Sequence, residues 1–208
     1  MKIGLLGFGV VGRGVYDIIA KRDDMQVAKV LCLEDITLPD AEVTRDFQSI
    51  ICDDSIDTVV EAMGGLHPAY EFVRAAMEAG KNIVTSNKAL VCTFYDELMP
   101  LAKEKGLIIF DAVTMVHMPN YEKIRKLIKE IGEIKMVDIN FSQYSSRYDK
   151  FKKGIVLPAL DKKMAGGALM DLGIYNINFT MGLFGKPKKV SYYANIQKGI
   201  DTSGVLVM

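Results

Sequence analysis

The hydrophobic positions of this chain follow two different rhythms, and the change comes near residue 110. In the first part, short apolar runs alternate with helical spacings. Residues 2–7 are an apolar run that breaks into glycines, and residues 10–22 follow with apolar side chains at helical intervals. Residues 26–33 are β-branched and apolar, closed by the pair Glu34-Asp35, and residues 57–61 form a third strand candidate. Residues 68–79 read as an amphipathic helix opened by Pro68 and stopped by Gly80. Residues 82–85 are a strand, 94–105 a helix and 107–110 a strand. Alternation at this pitch predicts an α/β fold, a doubly wound parallel sheet with helices on both faces.

Beyond residue 110 the rhythm changes. Residues 119–130 form a basic amphipathic helix opened by proline, and residues 133–143 alternate apolar and polar side chains as a half-buried antiparallel strand would. Residues 144–165 are polar and turn-rich, residues 166–184 helical, and residues 189–196 and 204–208 further strands. This pattern predicts a small α+β domain, one helix layer on an antiparallel sheet of about three strands. The last strand falls at Met208, which would leave an unpaired edge. A homodimer formed through this second domain, or poor solubility, is the expected consequence.

Composition sharpens the boundary more than it narrows the function. Of 208 residues, half are hydrophobic and a quarter charged, as in an ordinary globular protein. The 26 basic and 26 acidic side chains cancel, so neither nucleic acid nor a membrane surface is expected as partner. Their distribution is uneven: residues 1–110 carry 11 Lys/Arg against 17 Asp/Glu, and residues 111–208 carry 15 against 9. The balance swings from −6 to +6, which supports two modules, 1–112 and 113–208. Three scattered cysteines without a CxxC, beside two histidines, argue against a disulfide framework and a zinc cage. A reducing, cytoplasmic setting is expected, because the longest glycine-and-apolar run, residues 3–12, is too short to cross a bilayer.

Three constellations could carry chemistry. Gly7-Phe8-Gly9-Val10-Val11-Gly12 follows a predicted strand and opens a predicted helix, the context that a GxGxxG match needs. Gly7 allows the tight turn, Gly9 a close approach of backbone to a pyrophosphate, and Gly12 close packing of helix on strand. The helix N-terminus adds unpaired N–H groups and the positive end of its dipole. Glu34 and Asp35, 22 and 23 residues after Gly12, stand where an acid would hold the adenosine ribose. No arginine adjoins them in sequence, so NAD is expected over NADP, which should bind several-fold more weakly.

The second constellation, Thr85-Ser86-Asn87-Lys88, ends a predicted parallel strand, where ligands bind in open α/β sheets. The third lies in residues 166–175, where Asp171 and Tyr175 are four apart on a predicted helix and share a face. A carboxylate and a phenol so placed suit proton transfer to an alcohol or carbonyl, and glycines 166 and 167 allow close approach of backbone or ligand. For Lys88, Asp171 and Tyr175 alike, an ordinary solvated or half-buried role stays open from pattern alone. His67 and His117 read as structural, and the acid pairs 23–24 and 53–54 as loop solvation.

Residues 1 to about 107 resemble the cofactor domain of homoserine dehydrogenases, through residues 4–12, 56–65 (Ile-Asp-Thr-Val-Val-Glu-Ala-Met-Gly-Gly) and 84–91 (Val-Thr-Ser-Asn-Lys-Ala-Leu-Val). Residues from about 111 onward resemble the second part of Gfo/Idh/MocA oxidoreductases, through residues 117–121, 131–135, 141–149 and 166–175. The resemblance implies an NAD(P)-dependent oxidoreductase acting on a CH–OH group of a small sugar- or diol-like substrate. It implies a cofactor cleft that includes Asn87 and Lys88, and Lys88, Asp171 and Tyr175 as catalytic residues. Tyr175 would exchange the hydroxyl proton, Lys88 would favour its ionised form, and Asp171 would orient substrate or lysine. In Gfo/Idh/MocA proteins the lysine usually sits in Glu-Lys-Pro, where this chain has Asn87-Lys88-Ala89. The homoserine-binding region has no counterpart here, which argues against homoserine. Two further readings stay open: a dinucleotide-binding mosaic without turnover, and a homoserine dehydrogenase relative that kept only the cofactor domain.

Overall fold

The structure is a computed structural model that describes residues 1–164 and 166–208. Contacts group it into two compact units, Met1–Ala112 and Val113–Met208.

The first unit is built on a six-stranded sheet in the order β3-β2-β1-β4-β5-β6, every neighbouring pair parallel. Its strands are β1 (Lys2–Leu6), β2 (Gln26–Leu31), β3 (Glu42–Thr44), β4 (Thr58–Glu61), β5 (Asn82–Thr85) and β6 (Ile109–Asp111). Parallel neighbours need crossovers, and the helices α1 (Val10–Ile19), α2 (Gln48–Ile51), α3 (Ala69–Glu78), α4 (Lys88–Thr93) and α5 (Tyr95–Lys105) lie within them. Strand alternation sorts the core into two layers. Ile3 and Leu5 of β1 pack with Val27, Val30 and the α1 residues Tyr16 and Ile19. Leu6, Val59 and Ile83 pack with Val73, Ala76 and Met77 of α3 and Leu98 of α5. Strands buried on both faces read as continuous apolar runs, which is why they stand out in the sequence.

The strand order reverses between β1 and β4, and the carboxyl ends of these strands flank the crevice where ligands bind in such sheets. At the amino-terminal end of the strands Asp53, of the acid pair 53–54, does more than solvate a loop. Asp53 lies 3.2 Å from Lys29, and its backbone carbonyl accepts a 2.8 Å hydrogen bond from the buried Lys81.

The second unit holds α6 (Pro119–Leu127), α7 (Tyr148–Lys152), a π-helical turn (Leu169–Gly173) running into α8 (Ile174–Phe184), and an antiparallel hairpin of β7 (Ser191–Gln197) and β8 (Ile200–Val207). The strand expected over 133–143 is not formed, so the sheet has two strands rather than three. Alternation gives a segment two faces, but a strand also needs a neighbouring backbone to complete its ladder. Among the described residues none pairs with this stretch, and Met136 is 85% exposed. The hairpin itself is longer than expected, because Lys198 (φ 51°) and Gly199 (φ 79°) form a tight two-residue turn with both residues left-handed.

Asp201 ties the hairpin to the helix. One of its oxygens accepts hydrogen bonds from the Leu169 amide and the Tyr192 hydroxyl, both 2.7 Å. The glycines before the helix serve this packing. A Cβ at Gly166 would lie 2.6 Å from the Pro158 carbonyl oxygen, and one at Gly167 (φ 118°) would run into the Asp201 carboxylate. Burial, and then the hydrogen bond to Asp201, push the Tyr192 phenol from 10 up to about 12. A tyrosine whose folded value is raised contributes stability that is intact below its unfolded value and lost as pH rises through the folded one. Tyr192→Phe should therefore remove part of the alkaline loss of stability between about pH 10 and 12. Alkaline denaturation of the two proteins measures this, and superimposable curves would refute it.

Candidate functional site

The glycine turn is shaped as its three glycines require. Gly7 follows β1 with φ 91°, and a Cβ there would lie 2.9 Å from the Ala62 carbonyl oxygen. Gly12 is buried, and a Cβ there would strike the Gly7 carbonyl oxygen, so the third glycine sets how close α1 comes to the turn. A Cβ at Gly9 would meet nothing within 4 Å. Gly9 is also the N-cap of α1 and supplies no side-chain acceptor, so the first-turn N–H groups have no cap of the Ser/Asp type. The turn thus combines a helix N-terminus with open space at the position where a pyrophosphate would approach. Phe8 packs edge-on to Tyr16 with 5.7 Å between ring centroids, while Val10 and Val11 are exposed.

At the end of β2, Glu34 and Asp35 are both exposed, and each has an arginine beside it in space. Arg13 of α1 reaches Glu34 at 3.3 Å, and Arg45, just after β3, reaches Asp35 at 2.6 Å. No arginine adjoins the pair in sequence, yet two stand beside it in space, which corrects the expectation that no arginine is in place for a 2′-phosphate: they come from other elements. Exposed ion pairs of this kind are worth little, so either arginine can exchange its partner for a ligand phosphate at small cost.

The ends of β4, β5 and β6 form a third group. Glu61, 1% exposed, accepts hydrogen bonds from the Met63 and Gly64 amides at 2.8 and 3.1 Å and from the Thr85 hydroxyl at 2.5 Å. Asn87 caps α4 by accepting from the Leu90 amide, and donates through Nδ2 to the Gly65 carbonyl at 2.5 Å. Lys88 is the first residue of that helix and half-buried. Burial pushes the Asp111 carboxyl at the end of β6 upward, and the Lys88 ammonium partly offsets the rise. Glu61, Asp111 and Arg45 were not singled out from sequence. A carboxylate closing an otherwise apolar strand was the signal available for Glu61.

Asp171 and Tyr175 both lie in the second unit, and Lys88 in the first. Asp171 sits inside the π-helical turn and Tyr175 in the first turn of α8, so the wider turn shifts the shared face that regular spacing predicts. Asp171 lines a cavity of about 480 Å³ whose other polar walls include Tyr144, Tyr148, Asn195, Gln197 and Ser203. Tyr175 does not line it; its ring lies 5.9 Å from that of Phe141. Among the described residues no group of three or more His, Cys, Asp or Glu side chains is placed to hold a metal ion, and no helix is long and apolar enough to cross a membrane.

Residues 7–111 match the family model described as homoserine dehydrogenase, NAD binding domain, and residues 121–208 the one described as GFO/IDH/MocA C-terminal domain. The chain belongs to the homoserine dehydrogenase-type NAD binding family, joined to a Gfo/Idh/MocA C-terminal domain. The chain is 31% identical over 172 residues to scyllo-inositol 2-dehydrogenase (NADP(+)) IolU of Bacillus subtilis, covering 81% of this chain and 52% of that protein. It is 32% identical over 139 residues to a homoserine dehydrogenase of Pseudomonas aeruginosa, covering 61% of this chain and 32% of that one. Among solved structures, the yvaA oxidoreductase fold of Bacillus subtilis superposes over 99% of this chain and 58% of its own, with TM-score 0.73 and 26% identity. The chain thus spans about half the length of IolU and a third of the homoserine dehydrogenase.

Proposed function

We propose that the chain carries the cofactor cleft and part of the substrate site of an NAD(P)-dependent oxidoreductase, one that acts on a CH–OH carbon of a small polyhydroxylated molecule. The observation that carries this reading is the glycine turn, open at Gly9 beside an uncapped helix N-terminus at the sheet's switch point. When bound, the nicotinamide supplies the hydride acceptor or donor. First-turn amides of α1 hold the pyrophosphate, and Glu34 or Asp35 holds the adenosine ribose. The residues proposed to serve the transfer are Lys88 of the first unit and Asp171 and Tyr175 of the second: Tyr175 exchanges the hydroxyl proton, Lys88 hydrogen-bonds a substrate oxygen, and Asp171 orients the substrate. The cavity beside Asp171, walled by hydroxyls and amides, supports a neutral polyol rather than a charged substrate. The activity for which the IolU relative is named, on scyllo-inositol, supports the same class. Hydride transfer with NAD or NADP across a panel of inositols and other polyols tests it, and no turnover or binding with any of them would count against it.

Cofactor choice turns on the four side chains at the end of β2. The acid pair favours NAD, but Arg13 and Arg45 offer a 2′-phosphate two cations, and IolU is named for NADP(+). The cleft therefore takes both cofactors, with a smaller advantage for NAD than the acid pair alone would give. Arg45→Ala should weaken NADP about 10-fold and leave NAD nearly unchanged, since a charge-assisted contact to phosphate is lost and the acid beside it is uncovered. Calorimetry with both cofactors reads this out; equal weakening of both would exclude a phosphate contact.

A further inference from the structure

The buried Glu61 is left without a part in that chemistry. We propose that Glu61 is a positioning residue that sets the nicotinamide side of the cleft by locking together the loops that follow β4 and β5. The proposal rests on the reading of this unit as an NAD(P) domain. A carboxylate 1% exposed is costly unless its lone pairs are filled, and here they are. Oε1 takes the Met63 and Gly64 amides, and Oε2 takes the Thr85 hydroxyl. Thr85 Oγ1, itself fully buried, in turn accepts from the Asn87 amide at 3.0 Å. Asn87 Nδ2 returns to the Gly65 carbonyl, and Asn87 Oδ1 receives the Leu90 amide. The ring is closed, and its members span both loops.

What the ring holds is specific. It fixes Gly64 and Gly65, two successive left-handed residues (φ 75° and 73°), in a loop that begins with Ala62. Ala62 is the residue whose carbonyl lies against Gly7 of the phosphate turn. The other arm of the ring sets the first turn of α4, where Lys88 stands. One buried carboxylate therefore fixes the backbone beside the pyrophosphate turn and the backbone that carries Lys88. Polar networks of this kind fix one arrangement because each proton has one place to go.

Glu61→Gln keeps the volume and breaks that proton order. If the new carbonyl keeps the two loop amides, the new amino group donates to Thr85 Oγ1. That oxygen already accepts from the Asn87 amide, and its own proton loses its acceptor. Binding of NADH is followed by its fluorescence, to which a chain without tryptophan adds little background. Binding of ADP, which lacks the nicotinamide half, is measured by calorimetry. NADH should bind about 10-fold more weakly to Glu61→Gln and to Thr85→Val, with ADP affinity close to parental. Thr85→Ser, which keeps the hydroxyl, should bind both ligands as the parent does. Parental NADH affinity in Glu61→Gln and Thr85→Val overturns the inference alone, as does an equal loss of NADH and ADP, which would mark Glu61 as a general support of the domain. Failure of the parent chain to bind NADH overturns the functional reading, and this inference with it.

Discussion

Tyr175→Phe and Lys88→Met are each expected to lower turnover by about 10²–10⁴-fold, the usual contribution of a general acid–base group, with NADH affinity nearly intact. The phenol change removes one oxygen from α8 and leaves its ring beside Phe141 in place. The lysine change also removes the cation that partly offsets the burial of Asp111, so Asp111 should hold its proton to still higher pH. A carboxyl raised in the folded state is neutral over a wider acidic range, so Lys88→Met should show its altered pH behaviour on the acid side of neutrality. Steady-state rates with the best polyol from the panel, beside NADH titrations of the same proteins, separate chemistry from binding. Near-parental rates in Tyr175→Phe would make α8 a structural element and move the proton to another group.

Two glycines of the phosphate turn should fail in opposite ways. Gly9→Ala adds a methyl that meets no protein atom, so Tm should barely move while NADH affinity falls at least about 10-fold, because the methyl occupies the approach of the pyrophosphate. Gly12→Ala drives its methyl against the Gly7 carbonyl oxygen, and α1 must shift away from β1. Overpacking of this sort costs about 1–3 kcal/mol, so this variant should lose stability as well as cofactor. Thermal unfolding and NADH titration of the pair test both statements. A Gly9→Ala chain that binds NADH normally would remove the turn from the cofactor site.

The parts of this fold legible in the sequence are those that local pattern decides. Ile3, Leu5 and Leu6 are buried on two faces of one sheet, and such strands announce themselves as apolar runs. Strand β3 escaped notice because Glu42-Val43-Thr44 is only three residues long with a single apolar side chain, and only its pairing with β2 makes it a strand. Residues 133–143 failed the other way: the alternation is present and the ladder partner is not. In the site, Gly7, Gly9 and Gly12 carry a spacing that names their job. The Arg45–Asp35 pair joins residues ten apart on different strand ends, and the ring of Glu61, Thr85 and Asn87 joins residues more than twenty apart. No window along the chain displays such pairs; the sheet order creates them.

The π-helical turn at Leu169–Gly173 opens the helical rod of α8 with a wider winding than the rod itself. A regular turn takes about 3.6 residues and the wide one about one more, so deleting a residue inside it would restore regular winding and leave the bearing of everything downstream nearly unchanged. Tyr175 and the far end of α8 would keep their setting, while the turn that carries Asp171 would be rebuilt. A single-codon indel is thus a local adjustment at the head of this helix, able to re-aim a carboxylate without altering a side chain.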